Sequence, residues 1–439
     1  MTTIRPSTRL RSACALVALP VLLIASGNAI AAGYSYHTLH NFGGRNAGRD
    51  PEAGLIEDAG GAILFGTTSV GDTFAGEVFE GVNVGGTWKI TRIHKFPTGS
   101  TKDGSTPYAP LIEDKNGALY GTTCEGGKYY DPDVGQYGGV IFSLTYQGGT
   151  WSEKIIHNFG KYITGPNSEQ CPMTGLTYHG QKEGDLWDPD VNAVYGTTSA
   201  GGSDGNGVVF RLKYTGSGWN YKVIHTFTSG FYPNELQLDS SDNLYGSTVG
   251  GGKYGGGTLY KLTYGTWKET TLHNFCAQDG PTGCTDGAFP VGRQWRDSNE
   301  NMYGTAACGG SGAGLGICVD GVTGGGVVYE YTSDGTYEVL YNFCSLAKCV
   351  DGANPSSGMI MDSSGILYGT FGASTYSGSD TTKEGAFELI PSGDTWTESV
   401  IATHTGLTNP LRLDPSNGFL YSTCPQCGGD GSVFVLEPD

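Results

Sequence analysis

Short apolar stretches alternate with clusters of Gly, Asn and Asp along the whole chain, and this pattern repeats. An aromatic residue followed by a Gly-Thr-Thr-like tripeptide occurs seven times, beginning at Phe65, Tyr120, Tyr195, Tyr245, Tyr303, Tyr368 and, in divergent form, Tyr421. A regular repeat of this kind indicates one supersecondary unit copied along the chain. The uneven spacing between copies predicts a shared unit with insertions of different length.

Other signals keep fixed positions around the tripeptide. Upstream lie a short apolar stretch and an Asp-containing turn such as Asp114–Gly117. Downstream come a Gly-x-Val-Phe-like stretch and then a stretch that starts at Trp or Tyr and ends in His-Asn-Phe, as in Trp151–Phe159. Each unit therefore predicts four short strands, a to d, joined by tight turns.

Seven four-stranded units predict an all-β fold, a seven-bladed β-propeller with four antiparallel strands per blade. The order at the chain ends supports a closed ring. The segment from Tyr34 to Phe42 resembles a strand d without its a, b and c, and Gly431 to Leu436 resembles a strand c without its d. We therefore expect the N-terminal strand to complete the last blade, which leaves no open sheet edge.

Four motifs recur along the chain and resemble those of a known family: His-Asn-Phe, Asp-Gly-x-x-Pro, Leu-Tyr-Gly-Thr-Thr and Gly-x-Val-Phe. Residues 34–437 resemble the secreted bacterial GloVer (choice-of-anchor) tandem-repeat family. The resemblance implies an extracytoplasmic propeller but no established activity. Some members end in a sorting anchor, whereas this sequence ends at Leu436-Glu437-Pro438-Asp439. That ending favours a freely secreted or periplasmic protein.

The first 31 residues have the pattern of a secretory signal peptide. Arg5, Arg9 and Arg11 precede an apolar run, and Ala29-Ile30-Ala31 offers small residues before a cleavage point at Ala32. We therefore expect residues 1–31 to be removed and residues 32–439 to form a single propeller domain. The location expected is extracellular or periplasmic, without membrane insertion.

Composition narrows the choice of partner. Glycine accounts for 74 of 439 residues, which the turns of seven blades explain. Without the leader, 22 Lys and Arg stand against 43 Asp and Glu, a net charge of −21. So acidic a chain is repelled by nucleic acid and by anionic membranes. We expect a monomer that binds neither.

Ten cysteines follow the leader, an even number that favours a disulfide framework in an exported protein. Short separations suggest the pairs Cys276–Cys284, Cys308–Cys318, Cys344–Cys349 and Cys424–Cys427, which leaves Cys124 and Cys171 for each other. The sequence does not fix this connectivity. Cys424-Pro425-Gln426-Cys427 also fits a redox or zinc motif, although no second such motif accompanies it.

Residues locked to the repeat are interpreted as structural. His40, His94, His157, His225 and His273 occupy equivalent positions, and a catalytic group is rarely needed in every blade. The Phe two residues later is expected to pack between blades. No metal site and no cofactor are identified from these histidines, because equivalent positions in a ring hold them apart.

Acidic residues in the loops before strand a and between strands b and c keep two interpretations open. Asp103, Asp286 and Asp351 begin an Asp-Gly-x-x-Pro repeat. They are either Asx turns leading into strand a, or part of a carboxylate ring at the channel mouth that holds Ca²⁺ or acts on a sugar.

Residues that depart from the repeat are the better binding candidates. Trp295 lies in a predicted innermost strand, flanked by Arg293 and Arg296 where other blades place Gly, apolar or acidic residues. An aromatic ring beside arginines can stack a sugar and hold a carboxylate. Tyr108 and Tyr232 add aromatic surface to the same predicted face.

Two functions remain. The first is a secreted binding propeller that recognises an extracellular polysaccharide or cell-envelope glycan through its loop face. The second is a polysaccharide lyase or glycoside hydrolase that uses loop-face carboxylates and Arg293. No Gly-x-Ser-x-Gly elbow supports a serine hydrolase.

Overall fold

The computed structural model describes residues 33–43, 48–58, 61–71, 75–98, 103–129, 138–161, 165–179, 186–280, 283–312, 322–372, 375–376, 380–381 and 384–439. The predicted leader at residues 1–31, its cleavage point and Cys318 lie outside these ranges. The unit from Ala32 to Asp439 is compact.

Seven antiparallel sheets form the blades, each with four strands in the order a, b, c, d, and the sheet of blade 4 has a short fifth strand beside strand b. Blade 1 holds Ile56–Glu57, Ile63–Thr68, Glu77–Val84 and Thr87–Lys95. Blade 2 holds Ile112–Glu113, Leu119–Thr123, Val140–Gln147 and Thr150–Asn158. Blade 3 holds Thr177–Tyr178, Val194–Thr198, Val208–Tyr214 and Trp219–Thr226. Blade 4 holds Gln237–Leu238, Leu244–Gly251, Thr258–Thr263 and Lys268–Asn274.

The remaining three blades have the same order. Blade 5 holds Ala288–Arg296, Met302–Cys308, Val327–Tyr331 and Tyr337–Asn342. Blade 6 holds Ile360–Met361, Leu367–Phe371, Gly385–Ser392 and Thr395–Thr403. Blade 7 holds Arg412–Asp414, Phe419–Cys424 and Ser432–Pro438, and its strand d is the N-terminal strand Tyr34–Asn41. The predicted seven-bladed propeller, closed by the N-terminal strand, is confirmed.

Short strands join the loops on one face. The loop before strand a pairs with the loop between strands b and c as Gly48–Arg49 with Val70–Gly71, Gly104–Ser105 with Glu125–Gly126, and Gly165–Gln170 with Ala200–Gly202. In blade 4, Gly230–Pro233 pairs with the end of strand b. Asp279–Gly280 pairs with Gly283–Cys284, Thr375–Tyr376 pairs with Asp380–Thr381, and Ala347–Cys349 forms a 3-10 turn. Both loop sets therefore lie on the same face, as predicted.

In six of the seven repeats the glycine of the tripeptide lies beneath an aromatic ring of strand c, and blade 7 has Ser422 at this position. A Cβ added at Gly66 would come within 2.4 Å of Phe79, and one at Gly196 within 2.5 Å of Phe210. The same contact recurs at Gly121, Gly246, Gly304 and Gly369. In these six blades glycine is repeated because a Cβ at this position would collide with the buried ring.

The phenylalanine of each His-Asn-Phe motif joins two blades, as the sequence predicts. Phe96 of blade 1 packs on Phe142 of blade 2 with ring centroids 5.2 Å apart, and Phe159 of blade 2 packs on Phe210 of blade 3 at 5.4 Å. Equivalent pairs are Phe42–Phe79, Phe227–Tyr260, Phe275–Tyr329 and Phe343–Phe387. These rings are buried, so they hold neighbouring blades together through apolar contact.

Four of the five suggested cysteine pairs are disulfides in the structure: Cys124–Cys171, Cys276–Cys284, Cys344–Cys349 and Cys424–Cys427. The suggested partner of Cys308 lies outside the described residues.

Within the described residues, no helix has the length and apolar character that a membrane span requires.

Candidate functional site

The innermost strands and the residues just before them surround a cavity of about 440 Å³ on the axis of the ring. This volume falls within the ~300–1,000 Å³ typical of small-molecule sites. Every blade contributes to the lining. Trp295, Arg293 and Tyr108, three of the residues predicted from the sequence, line this cavity, the first two from blade 5 and Tyr108 from blade 2. We call this space the channel cavity.

One ring of equivalent positions lines the channel cavity: Gly54, Pro110, Gly175, Glu235, Arg293, Gly358 and Pro410. Five blades place Gly or Pro there, and several neighbours lie close together. A Cβ on Gly54 would lie 3.5 Å from Pro410, and one on Gly175 would lie 3.0 Å from Pro110. Small residues thus let the blades approach at the axis. Blades 4 and 5 alone carry charged side chains at this position.

Bulges in strand a present these two charged residues. In blade 5, pairing moves from Val291↔Thr305 to Trp295↔Tyr303, so three residues centred on Arg293 face one residue of strand b. Gly292 has a φ of +63°, and a Cβ there would lie 2.1 Å from the amide nitrogen of Gly358. Such a bulge redirects a side chain out of the regular alternation of a strand.

Glu235 lies in the matching interruption of blade 4, between Gly230–Pro233 and Gln237–Leu238, which both pair with strand b. Its carboxylate is 3.6 Å from the guanidinium of Arg293, and the two side chains are 15% and 28% exposed. Burial raises the pKa of Glu235, while Arg293 and a hydrogen bond from the Gly175 amide oppose that rise. The ion pair is therefore a partly dehydrated polar group inside the channel cavity.

A second ion pair joins the last blade to the first. Arg412 of blade 7 lies 2.5 Å from the carboxylate of Glu57 in blade 1, and both side chains are nearly buried. Both residues line the channel cavity. Two of the acids in the wall are thus neutralised by arginines from neighbouring blades.

Glu113 differs from these paired acids. It lines the channel cavity, and its Oε2 atom is buried without a hydrogen-bond partner among the described residues. Burial, helped by the nearby carboxylates of Asp58 and Asp114, raises the pKa of Glu113 to about 7. Near neutral pH this carboxyl can therefore either donate or accept a proton.

The other residues predicted as ligand contacts lie outside the channel cavity lining. Arg296 forms an ion pair with Glu300, and its guanidinium lies 4.2 Å from the ring centroid of Tyr245. Tyr232 is 56% exposed and contacts Phe231. Arg296 thus already has its partners within the fold, and Tyr232 belongs to the outer surface.

The three aspartates of the Asp-Gly-x-x-Pro repeat accept local hydrogen bonds. Asp103 accepts from the Gly104 amide at 2.7 Å. Asp286 accepts from the amides of Ala277 and Gln278, and it contacts the ring of His273. Asp351 accepts from Tyr341 and from the amides of Ser345 and Leu346. These contacts favour the turn interpretation over an open carboxylate ring.

Sequence reasoning missed the contributions of Glu235, Glu113, Glu57 and Arg412. Glu235 carried a usable signal, since it replaces a Gly or Pro of the repeat just as Arg293 does. Glu57 and Glu113 carried none, because an acid beside the strand-a turn looks like an ordinary surface residue. The Cys424–Cys427 disulfide leaves no thiolate for the zinc or redox interpretation of that motif in this state.

Comparison with known proteins agrees with the repeat and the fold. Residues 180–318 match the family model described as Gloeobacter/Verrucomicrobia repeat. This stretch carries that repeat. It runs from blade 3 into blade 5, which confirms the resemblance stated from the motifs. No curated protein sequence matches the chain.

Solved structures are similar to this chain at low sequence identity. Hydrazine synthase from Kuenenia stuttgartiensis is 13% identical, with 90% of this chain and 98% of that chain covered and a TM-score of 0.53. A protein from Lactobacillus plantarum is 12% identical, with coverage of 85% and 98% and a TM-score of 0.48. The PQQ-bound aldose sugar dehydrogenase from Streptomyces coelicolor is 13% identical, with coverage of 92% and 98% and a TM-score of 0.41. Likeness at this level concerns the fold alone.

Proposed function

We propose that this protein is an exported binding propeller that recognises a carbohydrate, the end or a short segment of an extracellular polysaccharide or envelope glycan, in its channel cavity. The observation that carries the proposal is that Trp295, Tyr108 and the Glu235–Arg293 ion pair all line the same cavity, with Tyr108 contributed by blade 2 and the others by blades 4 and 5. Sugars offer an apolar ring face and a rim of hydroxyl groups. Aromatic rings complement the face, and a fixed pair of opposite charges complements the hydroxyls as acceptor and donor.

The size of the channel cavity favours a small part of a glycan over a long chain lying across the surface. Its volume is about 440 Å³, and residues of all seven blades border it. Export is supported by the leader-like first 31 residues and by four disulfides, which persist in oxidising compartments.

The test is a glycan array followed by titration calorimetry on the sugars that bind. Tyr108→Ala and Arg293→Met should each weaken binding at least about tenfold, which corresponds to ~1.4 kcal/mol. Tyr232→Ala is the matched control, since this tyrosine is on the outer surface. Absence of any glycan ligand, or loss of binding only in Tyr232→Ala, would contradict a site in the channel cavity.

Glu113 supports a second candidate, a glycan-cleaving enzyme. A carboxyl with a pKa of about 7 suits a general acid at neutral pH. Glu113→Gln should then abolish release of reducing or unsaturated sugar products while leaving sugar affinity nearly unchanged. A glycan that binds but yields no product with the native protein would leave the binding function and exclude cleavage of that glycan.

A further inference from the structure

Three equivalent positions meet outside the channel cavity, at the junctions between neighbouring blades. They are the histidine position near the end of strand d, the acid in the loop that follows, and a residue near the start of strand d in the next blade. At the junction of blades 1 and 2 these residues are His94, Asp103 and Glu153. We call this group the junction triad.

Only this junction, within the described part of the chain, combines a histidine with two carboxylates. At the next junction Tyr221 replaces the second acid and stacks on His157 with centroids 3.6 Å apart. Between blades 4 and 5 the replacement is Tyr337, which stacks on His273 at 3.7 Å. Between blades 5 and 6 both acids are present, but Tyr341 occupies the histidine position and donates to Asp351.

Separations within the junction triad are longer than those at two other junctions, while His157 and Glu169, at the junction of blades 2 and 3, are 3.5 Å apart. His225 lies 2.9 Å from Glu269, and His273 lies 2.9 Å from Asp286, which are hydrogen-bond distances. In the junction triad, Nε2 of His94 is 3.7 Å from Oδ2 of Asp103 and 3.7 Å from Oε1 of Glu153. These contacts are too long for hydrogen bonds.

The atoms that face one another in the junction triad are also buried. Nε2 of His94 and Oε1 of Glu153 are shielded from solvent and have no hydrogen-bond partner among the described residues. The three side chains are only 15–16% exposed. Buried polar atoms without hydrogen-bond partners cost free energy of folding. Because these atoms converge on one point, a bound ion at that point would remove this cost.

We propose that His94, Asp103 and Glu153 bind a divalent transition metal ion such as Zn²⁺. Each offers one ligand atom, and the three atoms lie within 4.8 Å of one another. Ligands about 2.0–2.1 Å from a tetrahedral zinc ion are roughly 3.4 Å apart, so the observed spacing needs only a small adjustment. One nitrogen and two carboxylate oxygens suit Zn²⁺, whereas Ca²⁺ and Mg²⁺ prefer oxygen ligands alone.

Such an ion would tie the loop after strand d of blade 1 to blade 2 and would keep one coordination position for water or another ligand. None of the three residues of the junction triad lines the channel cavity, so metal binding there does not depend on glycan binding in the cavity.

The experiment is titration of ZnCl₂ into tag-free, chelator-treated protein with its disulfides intact, followed by calorimetry. We expect one strongly bound ion per chain. His94→Tyr copies the tyrosine of the junction between blades 5 and 6, and Glu153→Tyr copies Tyr221 and Tyr337, so the fold already accepts both arrangements. Each should weaken Zn²⁺ binding by more than the roughly 10–100-fold that indirect changes around a metal cause.

Glu269→Tyr, at a junction with one histidine–acid pair, is the matched control and should keep native Zn²⁺ affinity. Near-UV circular dichroism checks folding of each variant, and Asp103→Asn replaces any ligand variant that fails to fold. The proposal is overturned if the native protein binds no Zn²⁺, if all folded ligand variants retain native affinity, or if millimolar Ca²⁺ displaces the ion.

Discussion

The ion pair between Glu235 and Arg293 allows a quantitative test of how the ring is held at its axis. Replacing Arg293 with Met keeps much of the side-chain volume but leaves the buried Glu235 carboxylate without its counter-charge. Unit charges 3.6 Å apart attract by about 4.6 kcal/mol at an effective dielectric constant of about 20. Because Arg293 is 28% exposed, water screens part of this attraction.

We therefore expect Arg293→Met to lower the free energy of unfolding by roughly 3 kcal/mol, near the lower end of the range for broken buried pairs. Glu235→Gln should cost less, because a neutral amide in this position needs no counter-charge. In the double variant the loss should be about 2 kcal/mol smaller than the sum of the two single losses. That difference measures the coupling between the two charges.

The assay is urea denaturation with disulfides intact, monitored by far-UV circular dichroism and tryptophan fluorescence, whose coincidence checks two-state unfolding. The more exposed pair Lys115–Asp188, with side chains 41% and 32% exposed and 2.8 Å apart, supplies the control cycle. Its coupling should be smaller despite the shorter distance, since solvent screens both partners. If the coupling energy between Glu235 and Arg293 is no larger than that between Lys115 and Asp188, the view that partial burial strengthens the Glu235–Arg293 pair is refuted.

Three further outcomes are expected. Burial raises the pKa of Glu398 to about 8, so the folded state holds a proton that the unfolded chain releases near pH 4.5. The stability that this proton contributes is fully present below about pH 4.5 and is lost as pH rises through 8. Glu398→Gln should therefore make the urea midpoint depend less on pH between pH 5 and 9, and an unchanged pH dependence would contradict this. Gly207→Ala should lower Tm more than Gly205→Ala. Both glycines have positive φ, but only at Gly207 would a Cβ lie 2.2 Å from a carbonyl oxygen, so equal losses of Tm would contradict a steric cause. Replacing Cys124 and Cys171 by Ala should cost about 4 kcal/mol for a closure of 47 residues, and an unchanged denaturation midpoint would count against it.

Much of the fold could be predicted from the sequence because the information is local and repeated. The glycine beneath the strand-c ring and the phenylalanine that reaches the next blade each have the same packing role in six of the seven blades, so they recur at fixed positions. Gly66 and Phe96 are examples, and both have the packing roles that their repetition suggests. Insertions in the loops change the spacing but leave these contacts intact.

The candidate site could be predicted only in part. Trp295, Arg293 and Tyr108 line the channel cavity, and the first two were detected as departures from the repeat. Arg296 carried the same signal, yet it contacts Tyr245 and Glu300. A departure from a repeat identifies an unusual residue, but the direction of its side chain depends on bulges and neighbours that the pattern does not contain.

The sequence by itself determined the number of blades, the four strands of each and the closure by the N-terminal strand, because each follows from short-range spacing and turn chemistry. Only the tertiary structure decided which charged groups meet. Glu235 and Arg293 belong to different blades, as do His94 and Glu153, and each pair is far apart along the chain. Their electrostatic interactions depend on distances of a few ångströms, which arise only when the ring closes.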